Sequence, residues 1–131
     1  MPPKQKDKKT NSKKKIVRKA KNYIDSKSSS SVQNKIDKKI PLFVWFYADW
    51  CGHCTIMKQE WVQLAKKVAD EKNRKTLKTV QLVRIESQYI DEKYHVSAYP
   101  TLRLYKHGKI HGEYLGDRDM ESMIAYLRNE L

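Results

Sequence analysis

The sequence predicts an α/β domain with a mixed central β-sheet that carries helices on both faces. The first indication is an apolar run of strand length at residues 41–47, followed closely by apolar residues at helical spacing. The second is a pair of strand-like runs joined by His107-Gly108-Lys109, which predicts an antiparallel hairpin. With the other elements, the order is β-α-β-α-β-α-β-β-α, which is typical of a mixed sheet between two helical layers.

The elements before the central strand are short. Tyr23-Ile24 predicts an edge strand, and the serine cluster at residues 28–31 predicts a helix N-terminus. Pro41 is expected to end this helix and to open the central strand. The helix would carry one apolar stripe, formed by Val32, Ile36 and Ile40.

The elements after the central strand are predicted from apolar spacing and turn residues. In chain order they are a helix from about 51 to 73, a buried strand at 80–86, a short helix through 90–96, strands at 101–105 and 110–114, and a last helix from Gly116-Asp117. The last helix would bury an apolar face that includes Met120, Met123 and Leu127.

Positive charge is concentrated near the N-terminus. The 131 residues carry a formal net charge of +13, and residues 1–40 hold 14 Lys or Arg against three acidic residues. This distribution predicts a disordered, Lys-rich basic tail at residues 1–21 and a single domain at residues 22–131. Such a tail could bind nucleic acid or another anionic surface by neutralising phosphates, or it could serve only solubility or targeting.

Targeting features are not evident in the sequence. No run approaches the roughly 18 to 20 apolar residues that a membrane span requires. The first residues lack the apolar core of a secretory signal, and the last four differ from a Lys-Asp-Glu-Leu retention signal. We therefore expect an intracellular and, by default, cytoplasmic protein. A reducing compartment favours a redox-active or metal-binding cysteine pair over a structural disulfide.

Both cysteines of the chain lie in one short segment, Cys51-Gly52-His53-Cys54. Two thiols separated by two residues can close into a disulfide or act together as a dithiol. Because a strand precedes this segment and a helix follows it, Cys51 is expected at a helix N-terminus, where free backbone N–H groups and the helix dipole favour a thiolate. The alternative, half a zinc site, would require ligands from another molecule, since the sequence holds no second cysteine pair.

Four segments resemble the thioredoxin superfamily. Residues 46–54 look like the active-site segment of its protein disulfide isomerase domains, in which Gly-His separates the cysteines where ordinary thioredoxins have Gly-Pro. Residues 96–101 resemble the family's second signature, whose proline is cis. Residues 106–109 are similar to the family's hairpin, and residues 113–118 to the segment before its last helix. The resemblance covers residues 22–131 and implies a thioredoxin fold.

The resemblance implies a thiol–disulfide oxidoreductase that acts on cysteine-containing proteins and works with a redox partner. Cys51 matches the nucleophile and Cys54 the resolving cysteine, and together they would form the redox-active disulfide Cys51–Cys54. His53 matches a histidine that stabilises the thiolate and so makes the disulfide a better oxidant. No metal or organic cofactor is expected, because the cysteines carry the electrons.

Further positions match the family's substrate surface, and Arg118 matches a residue that acts on the resolving thiol. Among the substrate-surface positions, Trp50 has an alternative interpretation as a core residue. Arg118 matches an arginine that approaches the active site and lowers the pKa of the resolving thiol, and the alternative is an ordinary ion pair with Glu121 or Asp119. The positions that match the substrate surface are Trp50, Gly52, Tyr99 and Pro100.

The sequence departs from the family pattern at three positions. Trp45 stands where the family carries a buried acid that moves the proton of the resolving thiol, and Arg84 stands where a lysine commonly pairs with this acid. The resolving step is therefore expected to be slow unless water, Glu86 or Arg118 substitutes. Gln59 replaces a proline that kinks the active-site helix, so a straighter helix is expected.

Two further interpretations remain open from the sequence. The chain could be a weakly or non-catalytic thioredoxin-fold binding module whose basic tail docks on nucleic acid or on a particle surface. An isomerase-type dipeptide without a secretory signal would also fit a cytosolic system that makes disulfides for its own particles, as large DNA viruses do. That hypothesis would place the protein in a virion.

Overall fold

The structure is a computed structural model that describes residues 22–71, 77 and 79–131. The predicted basic tail at residues 1–21 and the end of the predicted helix 51–73 lie outside the described residues. The domain boundary at residue 22 therefore stays a prediction. Within the described ranges, no helix has the length and apolar character needed to cross a bilayer.

The described residues form a five-stranded sheet and three α-helices. The elements are β1 (Ile24–Ser26), α1 (Ser29–Asp37), β2 (Leu42–Tyr47), α2 (Gly52–Glu71), β3 (Gln81–Glu86), β4 (Thr101–Lys106), β5 (Lys109–Glu113) and α3 (Met120–Glu130). The sheet order is β1-β3-β2-β4-β5. β1 and β2 run parallel to β3, whereas β4 runs antiparallel to both β2 and β5. The predicted mixed sheet is therefore confirmed.

β2 lies at the centre of the sheet, and all six of its residues are buried. Since side chains alternate along a strand, its residues serve both faces. Phe43, Trp45 and Tyr47 pack with α2 and α3 on one face, whereas Val44 and Phe46 pack with α1 on the other. Helices on both faces confirm the predicted fold class.

α1 begins as predicted but ends earlier. Ser28 caps its start by accepting a hydrogen bond from the Ser31 N–H at 3.3 Å. The helix stops at Asp37, and Lys39 adopts a left-handed φ of 65° that turns the chain. Ile40 was expected on the apolar stripe of this helix, and it packs instead from the connection to β2.

The prediction of one short helix at residues 90–96 is wrong. The structure has two separate 3-10 turns there, Ser87–Tyr89 and Glu92–Tyr94. Each turn is capped at its start by an acidic side chain, Glu86 for the first and Asp91 for the second. The hydrogen-bonding pattern therefore restarts between the turns and does not propagate as one helix.

α3 begins later than predicted. It starts at Met120 and not at Gly116, because Asp119 acts as the N-cap and its carboxylate accepts a hydrogen bond from the Ser122 N–H at 2.8 Å. This contact satisfies one of the free N–H groups at the helix start. Met123 is fully buried on the inner face, as predicted.

The predicted hairpin is confirmed, with β5 shifted by one residue from the expected 110–114. His107 and Gly108 form the turn with φ values of 58° and 83°, as the tight turn between two antiparallel strands requires. The pairing of β4 with β5 is irregular between Leu104 and Tyr105. β5 forms one edge of the described sheet, and most of its residues are exposed.

An ion pair fixes the three-residue edge strand β1 to the sheet. Arg84 of β3 lies opposite Asp25 of β1, and its guanidinium binds the Asp25 carboxylate at 2.9 Å. The guanidinium carbon also lies within 5.8 Å of the ring centres of Tyr23, Trp45 and Tyr47. Cation–π contacts and a charged hydrogen bond therefore hold the same side chain.

Replacing Asp25 with Asn should lower the free energy of unfolding by about 1 kcal/mol, because the Arg84 guanidinium loses its charged partner. Glu113→Gln is the control, since the Arg103–Glu113 pair is longer at 3.4 Å and Glu113 is exposed. This control should lower the free energy by less than about 0.5 kcal/mol. Urea unfolding followed by circular dichroism measures both changes. Equal effects of the two substitutions would contradict the stabilising role of Asp25.

Candidate active site

The turn between β2 and α2 presents both cysteines at the start of α2. The Cys51 N–H donates to the Ala48 carbonyl at 3.1 Å, which closes the turn. α2 begins at Gly52, so Cys51 lies directly before its first turn and Cys54 lies within that turn. Cys51 is therefore at a helix N-terminus, as the sequence predicts.

The two cysteines contact each other and the loop before β4. The Cys54 N–H donates to Cys51 Sγ at 3.1 Å, and the Cys51 thiol donates to the Tyr99 carbonyl at 3.5 Å. Both cysteines are free thiols, with 7% of Cys51 and 1% of Cys54 exposed. A backbone N–H directed at a sulfur atom can stabilise negative charge on it, so Cys51 has the geometry of an attacking thiol.

Burial dominates the acid–base behaviour of Cys54. Burial and, next, the hydrogen bond with Cys51 raise the pKa of the Cys54 thiol to about 12. A backbone hydrogen bond with Ala48 and the positive charge of Arg118 act in the opposite direction but are weaker. Cys54 is therefore protonated at neutral pH and must lose its proton before it can attack another sulfur.

The loop before β4 completes the surface around Cys51. The Tyr99–Pro100 peptide bond is cis, as the family resemblance implies. Trp50 is 76% exposed, and its ring meets the Tyr99 ring edge-to-face at 5.7 Å. Trp50 therefore lies on the surface and not in the core. Gly52 is exposed as well, and apart from its chain neighbours and its own helix backbone no atom lies within 4 Å of the place that a Cβ would take there.

His53 and Arg118 line a groove of about 290 Å³ between α2 and the segment before α3, and Ile56 forms part of its apolar wall. Within the described part of the chain, Arg118 forms no ion pair with Asp119 or Glu121. Asp119 instead caps α3. The charge of Arg118 lowers the pKa of the Cys54 thiol, but less than burial raises it.

An indole ring fills the position at which the family carries its buried acid. Trp45 is fully buried on β2, and its ring lies 5.2 Å from that of Trp61 on α2. Arg84, which matches the lysine partner of that acid, binds Asp25 at the edge of the sheet. Trp45 therefore brings no proton acceptor to the core cluster that contains Cys54.

Glu86 is poorly suited to replace that acid. The residue is 7% exposed, and its carboxylate accepts hydrogen bonds from the Asp49 N–H at 3.1 Å, the Gln88 N–H at 2.9 Å and the Ser87 hydroxyl at 3.0 Å. Burial alone would raise the pKa of Glu86, but these hydrogen bonds hold it below its ordinary value. A carboxylate with a lowered pKa is a weak base, so the geometry disfavours Glu86 as the proton acceptor.

Gln59 occupies an exposed position on α2, where the family carries a proline. α2 continues through this position as one helix from Gly52 to Glu71. A glutamine keeps the backbone N–H that a proline lacks, so the helical hydrogen bond at this position can form. The active-site helix therefore has no proline-induced break.

A zinc site at the cysteines was the alternative that the sequence left open. Among residues 22–71, 77 and 79–131, no group of three or more His, Cys, Asp or Glu side chains is arranged to hold a metal ion. Cys51 and Cys54 are thus not part of such a group in this part of the chain.

Two contacts of the site were not predicted from the sequence: the Cys51 N–H with the Ala48 carbonyl, and the Asp49 N–H with Glu86. An acidic residue at the end of a strand, followed by Ser-Gln, is a capping pattern that could have indicated the turn after β3. No pattern in the sequence indicates that the same carboxylate reaches Asp49.

Comparison with known proteins identifies the family. The sheet order, with helices on both faces and the cysteine pair at a helix start, defines the class of thioredoxin-fold domains. Residues 23–129 match the family model described as Thioredoxin. The chain belongs to the thioredoxin family.

Two curated relatives are similar to this chain over most of its length. A thioredoxin domain-containing protein 5 homolog from Drosophila melanogaster is 36% identical over 89 residues, which is 68% of this chain and 21% of that protein. Protein disulfide-isomerase 1 from Dictyostelium discoideum is 29% identical over 102 residues, which is 78% of this chain and 28% of that protein. This chain therefore matches only a part of each relative.

Solved structures support the same fold. The first thioredoxin domain of mouse protein disulfide-isomerase A4 has a TM-score of 0.64 and 27% identity, and the match covers 78% of this chain and 71% of that one. Mitochondrial thioredoxin 3 from Saccharomyces cerevisiae has a TM-score of 0.63 and 22% identity, with 84% and 97% covered. Zinc-bound human ERp44 has a TM-score of 0.71 and 22% identity, with 82% and 30% covered. At 22% identity, the last two support the fold alone.

The two thiols should differ strongly in reactivity. At pH 7.5, iodoacetamide should modify Cys51 in a Cys54→Ser variant at least about tenfold faster than Cys54 in a Cys51→Ser variant, because only a thiolate reacts and burial keeps Cys54 protonated. The Cys54 rate should rise by about tenfold for each pH unit between pH 7.5 and 9.5, since its thiolate fraction does so below its pKa. Time courses by mass spectrometry measure both rates. Equal rates at pH 7.5 would contradict the assignment.

Proposed function

We propose that this domain is a thiol–disulfide oxidoreductase that exchanges disulfides with cysteine-containing proteins through Cys51 and Cys54. The observation that carries the proposal is the contact of the Cys54 N–H with Cys51 Sγ at 3.1 Å, at the N-terminus of α2. Membership of the thioredoxin family and similarity to protein disulfide isomerases support the same activity.

Reduction of a substrate disulfide proceeds in two exchanges. The Cys51 thiolate attacks one sulfur of the substrate disulfide, a mixed disulfide forms, and the other sulfur leaves as a thiolate that takes up a proton. Cys54 then loses its proton and attacks Cys51 Sγ. The Cys51–Cys54 disulfide forms and the second substrate thiol is released. Two electrons pass from the domain to the substrate, and the reverse sequence oxidises a substrate dithiol.

The substrate would bind on the surface around Cys51. Trp50 and Gly52 are exposed next to Cys51 in the chain, and the Tyr99 carbonyl contacts the sulfur of Cys51. The Trp50 ring offers a large apolar contact, and the open space at Gly52 lets a partner backbone approach closely. These features suit an extended peptide segment that carries a cysteine.

Arg118 and His53 would assist the two cysteines from the groove side of α2. Because a positive charge stabilises a nearby thiolate, Arg118 favours the deprotonation that Cys54 needs before resolution. His53 matches the isomerase-type histidine that makes the disulfide a better oxidant. Both roles are proposals for these positions.

The rival function, a non-catalytic binding module, has less support because both cysteines are free thiols in contact at the start of α2 and the relatives include protein disulfide isomerases. Binding of nucleic acid or an anionic surface by residues 1–21 stays a prediction, and these residues lie outside the described part of the chain. The redox partner, the direction of exchange, a cytoplasmic location and a place in a virion also stay predictions.

An insulin-reduction assay tests the activity. With dithiothreitol as the reductant, the wild-type chain should accelerate the precipitation of insulin, and Cys51→Ser should abolish the acceleration because the attacking thiol is lost. In a separate reaction without dithiothreitol, the pre-reduced Cys54→Ser chain should accumulate as a mixed disulfide with the substrate, which non-reducing gel electrophoresis detects. Equally low activity of the wild type and Cys51→Ser would refute the proposed enzyme function.

Resolution by Cys54 should be slow, and an acid at position 45 should accelerate it. Trp45→Asp should speed the decay of a glutathione mixed disulfide on Cys51 by about tenfold, because the new carboxylate can accept the Cys54 proton. It should also lower the free energy of unfolding by about 3–5 kcal/mol through loss of core packing. Stopped-flow quantification of released glutathione measures the rate.

Trp45→Phe is the matched control for position 45, because it also reduces core packing but brings no proton acceptor. It should leave the decay rate within about twofold of the wild-type rate, since proton transfer is unchanged. An equal acceleration by Phe and Asp would assign the effect to loosened packing and would refute the role given to Trp45.

A further inference from the structure

We propose that Glu86 is a positioning residue for the cysteine pair, because its carboxylate holds the Ala48–Asp49 peptide group that accepts the Cys51 N–H. The proposal rests on the thiol–disulfide exchange proposed above. It gives Glu86 a role in placing the thiols and not in transferring their protons.

The first step concerns a single peptide group. Its N–H belongs to Asp49 and donates to Glu86 Oε2 at 3.1 Å. Its C=O belongs to Ala48 and accepts the Cys51 N–H at 3.1 Å. Because a peptide group is rigid and planar, the two hydrogen bonds fix opposite ends of one plane. A rotation of that plane would break both bonds and would release the backbone of Cys51.

The second step extends this arrangement to the other cysteine. The Cys54 N–H donates to Cys51 Sγ at 3.1 Å. A displaced Cys51 backbone would move this sulfur away from the Cys54 N–H. The orientation of the Ala48–Asp49 peptide group therefore affects the contact between the two cysteines as well as the backbone of Cys51.

The third step concerns how the fold places the Glu86 carboxylate, which is the anchor for the Asp49 N–H. Glu86 is the last residue of β3 and lies opposite Tyr47, the last residue of β2. Two of the three hydrogen bonds to its carboxylate come from Ser87 and Gln88 and order its own turn. The third comes from Asp49, 37 residues earlier, and joins the end of β3 to the cysteine turn. A buried carboxylate needs such partners, so Glu86 is a well-ordered acceptor.

The position of the Glu86 charge agrees with this role. Burial and, next, the negative charge of Glu86 raise the pKa of the Tyr99 hydroxyl. The carbonyl of Tyr99 lies against Cys51 Sγ. Glu86 is thus close to both segments that contact Cys51, the turn after β2 and the loop before β4.

The test compares Glu86→Gln with Ser87→Ala in the full chain. Glutamine keeps the length of the side chain and one acceptor oxygen, but its NH2 group faces donors that the carboxylate now accepts. Ser87→Ala removes a local hydrogen bond from the same carboxylate and leaves the bond to Asp49 in place. The reduction potential of the cysteine pair is measured by equilibration with glutathione, and stability is measured by urea unfolding.

Glu86→Gln should shift the dithiol–disulfide equilibrium about tenfold toward the disulfide, which makes the potential about 30 mV more reducing. We expect this direction because the contacts described above are those of the free thiols, so their loss should destabilise the dithiol more than the disulfide. Ser87→Ala should shift the same equilibrium by less than about twofold, since a lost local hydrogen bond leaves the anchor to Asp49 intact.

A wild-type potential in Glu86→Gln, with only a loss of stability, would make the role purely structural and would overturn the proposal. An equal shift in Ser87→Ala would overturn it as well, since the local turn would then explain the effect. If Glu86→Gln does not fold, Glu86→Asp keeps the charge with a shorter reach and should shift the potential in the same direction, and an unchanged potential would overturn the proposal. The potential is measured without a protein substrate, so a failure to reduce insulin would refute the proposed function without deciding this result.

Discussion

The burial of β2 on both faces constrains everything around the cysteines. β2 pairs in parallel with β3 and antiparallel with β4. The C-terminal ends of β2 and β3 and the N-terminal end of β4 therefore lie at the same end of the sheet. The register places Tyr47 opposite Glu86 and Phe46 opposite Thr101. The cysteine turn, the Glu86 turn and the cis-proline loop therefore meet because of strand direction and register.

Features encoded by neighbouring residues could be predicted from the sequence. The apolar run of β2, the spacing in α2 and the placement of Cys51 at a helix start depend on local patterns, and the structure agrees with them. Element boundaries were wrong where capping side chains act against apolar spacing. Asp91 restarts a 3-10 turn inside the expected helix, and Asp119 delays the start of α3.

Contacts between distant segments could not be predicted in the same way. Asp49 and Glu86 are 37 residues apart, and Asp25 and Arg84 are 59 apart. Each contact depends on which strands pair and in what register, and a single sequence does not specify either. Position 45 is a further example. The sequence shows that Trp45 replaces the family's acid, but it does not show that Arg84, at the position of that acid's partner, pairs with Asp25 of the edge strand β1.

The exposed edge strand β5 raises the question of unwanted strand addition in a domain that is proposed to bind segments of other proteins. An open sheet edge can recruit extended segments of other chains as extra strands and start aggregation. The irregular pairing between Leu104 and Tyr105 interrupts the regular ladder beside β5, and Lys109 adds a charge at its start. The edge is thus a poor template for strand addition, and under the proposed function a substrate segment would meet the cysteine turn without joining the sheet.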